Sequence, residues 1–143
     1  MKVLIVEDEI RIREGIEKLL GRTGRSFEIA GEAENGEEGL TLLRKLRPDI
    51  VITDIKMPVM DGLEMLSAMV QENIPARAIV LSAYSEFEYA RKAMRLGVTE
   101  YLLKPIAYGE FLQALENVEE QLARDRQEKP RQAGTLEEVL HSL

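Results

Sequence analysis

The run Asp49-Ile50-Val51-Ile52-Thr53-Asp54-Ile55-Lys56-Met57-Pro58 decides the fold. Ile50 to Thr53 are consecutive apolar or β-branched residues, and Pro58 keeps a helix from beginning just beyond Asp54. An uninterrupted run of this kind reads as a short strand buried on both faces, as in a parallel sheet. Asp54 then stands at the carboxyl end of that strand, where open α/β sheets place their ligands.

Outward from this stretch, strand-like and helix-like segments alternate five times. Lys2-Val3-Leu4-Ile5-Val6 is a continuous apolar strand. Glu7-Asp8-Glu9 follows, then a helix with Ile12, Ile16, Leu19 and Leu20 at helical spacing. Residues 27–33 alternate as a strand with one wetter face would, which predicts a sheet edge. Asn35 caps a second helix, with Leu40, Leu43 and Leu46 as its stripe and Pro48 as its stop. Asp61 with Glu64 three residues on predicts the capped start of a third helix. Ala78-Ile79-Val80-Leu81 is another doubly buried strand, ending at Ser82. Ser85 to Glu88 has the capping-box pattern for a fourth helix, which Gly97 ends. Residues 98–103 form the last strand, closed by Lys104-Pro105, and the fifth helix carries Phe111, Leu115, Val118 and Leu122. Such alternation predicts an α/β fold, a parallel sheet with helices on both faces. A five-stranded flavodoxin-like (βα)5 sandwich in the order 2-1-3-4-5 accommodates three central and two lateral strands.

The chain has 143 residues, 45% hydrophobic and 31% charged, enough for one domain with an ordinary core. No apolar stretch approaches the roughly 20 residues that cross a membrane, and no leader pattern is visible. There is no cysteine, hence no disulfide and no thiolate metal site, which fits a reducing cytoplasm. The net charge of −7 argues against direct nucleic-acid or anionic-membrane binding by this segment.

In the expected sheet, Glu7, Asp8, Asp54, Ser82 and Lys104 all lie at carboxyl ends of strands and converge on one crevice. Taken singly, each has an ordinary explanation: a helix cap, a loop acid, a turn serine, a surface lysine. Taken together, three clustered carboxylates are costly unless a cation joins them, and all-oxygen ligation suits Mg²⁺. Asp54 is then a carboxylate nucleophile for a phosphoryl group, with Mg²⁺ and the Lys104 ammonium neutralising the transferred oxygens. Ser82 offers a hydroxyl donor, and backbone N–H groups near Lys56 and Ala83 offer more.

Glu7-Asp8, Asp54 with Met57-Pro58 and Asp61-Gly62, Ser82-Ala83, and Lys104-Pro105 after Tyr101 together resemble the receiver domain of a bacterial two-component response regulator. The resemblance covers residues 2 to about 122 and implies Asp54 as phosphoacceptor. It further implies Asp8 as a direct metal ligand, Glu7 as a ligand mainly through water, and the Lys56 backbone carbonyl as the last protein ligand. Lys104 would pair with the phosphate, and Ser82 with Tyr101 would form a switch pair. A sensor histidine kinase would be the phosphodonor. The face of helix four, strand five and helix five would contact the chain's own output domain or a second copy. Residues 82–90 and 97–106 are similar to receivers that precede helix-turn-helix output domains of the arabinose-regulator type. Such a domain signals and is not an enzyme in its own right; the alternative is a phosphorylation-independent scaffold or dimerisation module of the same fold.

Two departures from the family pattern stand out. Ala107 occupies the expected cap of the fifth helix, which predicts a frayed start, and Glu7 replaces the more usual Asp without removing its charge. Lys56 and Tyr84, two residues after Asp54 and Ser82, could obstruct the water that hydrolyses a phosphoaspartate and so prolong it, although Lys56 could instead orient that water. Residues 1–122 are expected to form the receiver and 123–134, charged and interrupted by Pro130 and Gly134, a linker or helix fray. Residues 135–143 would begin a connector or output segment. Three competing classes fit less well. A phosphatase with an aspartate nucleophile would want a second acid where Lys56 stands, and a flavodoxin would want a Ser/Thr/Gly-rich loop where Glu7-Asp8-Glu9 stands. A degenerate receiver would lack an acid or the lysine.

Overall fold

Ile50 to Thr53 form the strand β3, at the centre of a five-stranded parallel sheet in the order β2-β1-β3-β4-β5. The structure, a computed structural model, describes residues 1–83 and 87–142, with side chains except those at 87 and 128–142. The other strands are β1 (Lys2–Val6), β2 (Glu28–Ala33), β4 (Arg77–Ser82) and β5 (Glu100–Leu103). They alternate with α1 (Ile10–Arg22), α2 (Gly36–Leu46), α3 (Gly62–Gln71), α4 (Phe87–Arg95) and α5 (Tyr108–Ser142). The flavodoxin-like order read from the sequence is the one observed.

The apolar runs have no polar alternation because both sheet faces are covered. Val3, Ile5, Ile50, Ile52, Ile79 and Leu81 point to one side and pack with Ile16 and Leu20 of α1 and Phe111, Leu115, Val118 and Leu122 of α5. Their neighbours Leu4, Val6, Val51, Ala78 and Val80 point to the other, against Leu40 and Leu43 of α2, Met65, Leu66 and Met69 of α3 and Ala93 of α4. Burying each large side chain contributes about 1.5–3 kcal/mol, so a one-residue slip of β3 would gain nothing in burial yet would move Asp54 off the strand end.

Two caps behave as the sequence predicts. Asn35 accepts the Glu38 amide through its side chain, and Asp61 and Glu64 exchange the reciprocal bonds of a capping box. The fourth helix's expected cap at Ser85, and Tyr84, lie outside the described residues.

Several boundaries differ. Phe27 precedes β2 and packs instead beside α1 and α5. The last strand starts at Glu100, since the Val98 amide is held by the Ala93 carbonyl at 3.2 Å and so belongs to the end of α4. The fifth helix begins at Tyr108 behind Ala107, whose carbonyl accepts the Phe111 amide at 3.0 Å. Its backbone then stays helical to Ser142, through the segment read as linker and past Pro130. Arg, Gln, Glu, Lys and Ala dominate residues 123–133 and are strong helix formers, so propensity outweighs the missing apolar stripe there.

Candidate functional site

The carboxyl ends of β1, β3, β4 and β5 bring the scattered polar residues to one end of the sheet. Register fixes this: Val6 lies beside Thr53 and Thr53 beside Val80, so Glu7 and Asp54 leave adjacent strands at the same level. Ser82 pairs with Leu103 in β4 and β5, and the Lys104 amide donates to the Ser82 carbonyl at 2.8 Å. The Lys104–Pro105 peptide is cis.

At the centre sits the Asp54 carboxylate, 9% exposed. Its Oδ1 accepts the Ile55 amide at 2.6 Å and its Oδ2 accepts the Lys104 ammonium at 3.0 Å. The same ammonium reaches Glu7 Oε2 at 3.4 Å. Carboxylate oxygens of Glu7, Asp8 and Asp54 lie within 4.8 Å of one another, with Asp8 the exposed member.

These charges disturb one another. Burial first, then the charge of Asp54 and a shared hydrogen bond with it, push the Glu7 carboxyl up to about 8, with Lys104 opposing and Asp8 reinforcing the rise. Burial works against the Lys104 ammonium, but the hydrogen bond and charge of Asp54, with Glu7 behind them, outweigh it and hold its pKa above the ordinary lysine value. Oε1 of Glu7 is buried with no donor directed at it among the described residues. A buried oxygen left without a partner, beside two further carboxylates, suits a hard cation with oxygen ligands.

The loop after β3 is held tightly. The Gly62 amide donates to the Ile55 carbonyl at 2.8 Å, and a Cβ at Gly62 would run into the Asp54 carbonyl oxygen. At Gly36, whose amide donates to the Met60 carbonyl, a Cβ would lie 2.6 Å from that same oxygen. Between these anchors the Met60 amide bonds to the Pro58 carbonyl at 2.8 Å across Val59, whose φ is 71°. That is a three-residue turn of the strained hand.

The remaining residues singled out in the sequence are near but differently disposed. Ser82 is fully buried, Ala83 is exposed, and Tyr101 is half-buried on the edge strand against the α2–α4 side of the core. Lys56 is exposed, and its ammonium lies over the Tyr89 ring of α4, 5.1 Å from the centroid. Met94 of α4 is 58% exposed. Sequence reasoning missed Tyr89, and it missed Arg13, whose Nη1 donates to the Glu7 carbonyl at 2.6 Å. The sole signal for Arg13 was a basic residue one turn into the helix that follows the acidic pair.

Residues 3–116 match the response regulator receiver domain family. The chain is 36% identical over 140 residues to the transcriptional regulatory protein YesN of Bacillus subtilis, covering 98% of this chain and 38% of that protein. It is 38% identical over 115 residues to a positive alginate biosynthesis regulatory protein of Pseudomonas aeruginosa, covering 80% of this chain and 46% of that one. The chain thus spans less than half the length of these two relatives. Among solved structures, the REC domain of AraT, a response regulator from Geobacillus stearothermophilus, superposes with a TM-score of 0.78 at 40% identity, covering 87% of this chain and 97% of that one. A LuxR-family DNA-binding response regulator from Staphylococcus aureus superposes at 0.76 with 28% identity, covering 82% and 97%. Relatives with different output classes therefore share this fold, and the arabinose-regulator type is not singled out among them. With its acidic cluster, its lysine and its five-stranded sheet accounted for, this chain belongs to the response regulator receiver domain family.

Proposed function

We propose that the chain accepts a phosphoryl group on Asp54 from the phosphohistidine of a sensor kinase, with Mg²⁺ bound, and passes the change to an output through α4, β5 and α5. The observation that carries this reading is the Asp54 carboxylate, buried, 3.0 Å from one ammonium and clustered with two further acids. In the transfer, an Asp54 oxygen forms a bond to phosphorus while the bond from phosphorus to the imidazole nitrogen breaks, and the nitrogen keeps the electron pair. Glu7, Asp8, Asp54 and the Lys56 carbonyl would hold Mg²⁺, which when bound supplies charge neutralisation at the phosphoryl oxygens. The Lys104 ammonium supplies more, and needs only to move from carboxylate to phosphate.

Ser82 and the Ala83 amide complete the phosphate contacts in this reading. Drawing the Ser82 hydroxyl toward the phosphoryl group opens room that Tyr101 enters from the edge strand, altering the face that includes Met94 and Glu100. To turn a mostly inactive population mostly active, phosphorylation must favour the second form by about 5.5 kcal/mol. Tyr101→Ala should break the link between phosphorylation and assembly; unaltered phosphorylation-dependent assembly in that variant removes Tyr101 from the scheme.

Residues 1–122 would act as the receiver and 123–143 as the connector to an output domain, with transcription the output that the relatives' names suggest and the arabinose-regulator type the finer proposal. Among the described residues no helix is long and apolar enough to cross a membrane, and a cytoplasmic setting follows from the proposed kinase partner. The test is incubation with Mg²⁺ and acetyl phosphate followed by intact mass, with Asp54→Asn in parallel. A gain of one phosphoryl group in wild type alone is expected. No gain in wild type would leave the phosphorylation-independent scaffold as the better description.

A further inference from the structure

We propose that Arg13 is a positioning residue for the divalent cation: its guanidinium fixes the backbone of the Glu7-Asp8 pair so that both carboxylates meet Asp54. This rests on the Mg²⁺ reading above and adds a residue to it that does not itself touch the metal. The Glu7 amide is already held by the Ala33 carbonyl of β2 at 2.9 Å. Its carbonyl, beyond the last sheet bond of β1, is held by Arg13 Nη1 at 2.6 Å. With both backbone polar groups of Glu7 engaged, and so the peptide units on either side of it, the turn from β1 toward Asp8 has little freedom left. Arg13 is itself set by the first turn of α1, where its amide donates to the Glu9 carbonyl at 3.0 Å. Its side chain is only 11% exposed, and Nη2 lies 3.8 Å from Glu34 Oε1 beyond the end of β2. A rigid fork can span the two loops, whereas a lysine would deliver one point charge.

Electrostatics and positioning make opposite demands here, which makes the inference testable. Arg13 is a cation close to an acidic pocket, so removing its charge alone should tighten Mg²⁺ binding. Removing a support behind the ligands should weaken binding, typically tenfold or more. We expect the second to win. Arg13→Met keeps the apolar stem and deletes the donors. MgCl₂ is titrated into the full 143-residue chain and followed by calorimetry, with circular dichroism in EDTA verifying the fold. Binding should weaken about tenfold in Arg13→Met, and Arg13→Lys should recover part of the loss. Glu34→Gln, at an exposed carboxylate, should bind as wild type does.

Unchanged or tighter binding in Arg13→Met overturns the proposal. So does an equal loss in Glu34→Gln, since the guanidinium would then act through Glu34. If Arg13→Met does not fold, Arg13→Lys decides: affinity several-fold below wild type is expected, and affinity equal to wild type overturns it. A wild-type chain that takes up no Mg²⁺ overturns the metal reading as well, whereas wild-type binding with an indifferent Arg13→Met overturns this inference alone.

Discussion

In metal-free protein, Glu7→Gln should remove a pH dependence of stability that the wild type carries. The Glu7 carboxyl rises from its ordinary 4.5 to about 8 in the folded chain. Because the folded state holds that proton more tightly than the unfolded chain, its contribution is complete below about 4.5 and is lost as pH climbs through about 8. The slope in that window is at most about 1.4 kcal/mol per pH unit. Over an interval of about 3.5 units, the loss is on the order of 5 kcal/mol, a large share of a typical total of about 5–15 kcal/mol. Glutamine keeps the shape and has no proton to lose. Urea unfolding in EDTA at a series of pH values, extrapolated linearly to water, gives both curves. The wild type should fall relative to Glu7→Gln as pH rises, and the two should run parallel again above the window. Mg²⁺ at about 100 times its dissociation constant should return about 2.7 kcal/mol to the wild type at alkaline pH. Curves that run parallel throughout in EDTA would refute the claim that Glu7 is forced to hold a proton when no cation accompanies it.

Three further outcomes are expected. Gly62→Ala should cost about 3 kcal/mol in unfolding free energy and blunt phosphorylation, since its Cβ collides with the Asp54 carbonyl; a cost under about 1 kcal/mol would mean that the loop yields freely. Val59→Gly should stabilise by about 1 kcal/mol, because Val59 is 75% exposed and holds a left-handed φ of 71°; a loss of melting temperature would show that the valine's packing matters more than its backbone. Lys56→Ala should speed loss of the phosphoryl group several-fold if the lysine stem blocks hydrolytic water, and slower loss in the variant than in wild type contradicts that role.

The architecture was legible because two simple periodicities were respected almost throughout. Val3 to Val6 and Ile50 to Thr53 show no alternation, since helices cover both faces, and Asn35 and Asp61 announce their helices through side-chain acceptors that a backbone amide needs. The convergence of Glu7, Asp54 and Lys104 was readable once the strand order was chosen, because residues at strand ends must meet. What was not readable depended on long side chains crossing between elements. Arg13 reaching the Glu7 carbonyl just past β1, and Lys56 reaching the ring of Tyr89, leave no mark in spacing or hydropathy. At Val98 the helix-ending carbonyls of α4 competed with the sheet for its amide and won. Over residues 123–133 breaker residues and helix formers gave opposing signals, and the punctuation at Pro130 was the weaker of the two.

The hydrogen bonds at Asp54 make its two oxygens inequivalent before any donor arrives. Oδ1 is tethered by the neighbouring main chain, while Oδ2 is held by the Lys104 ammonium, a side-chain donor that can turn to follow an incoming group. In the proposed transfer an approaching phosphorus would therefore meet a handed target, with one oxygen immobilised and the other on offer. Under the proposed function, the site would choose not just which residue is modified but which atom of it, a regiochemistry written into the strand end itself.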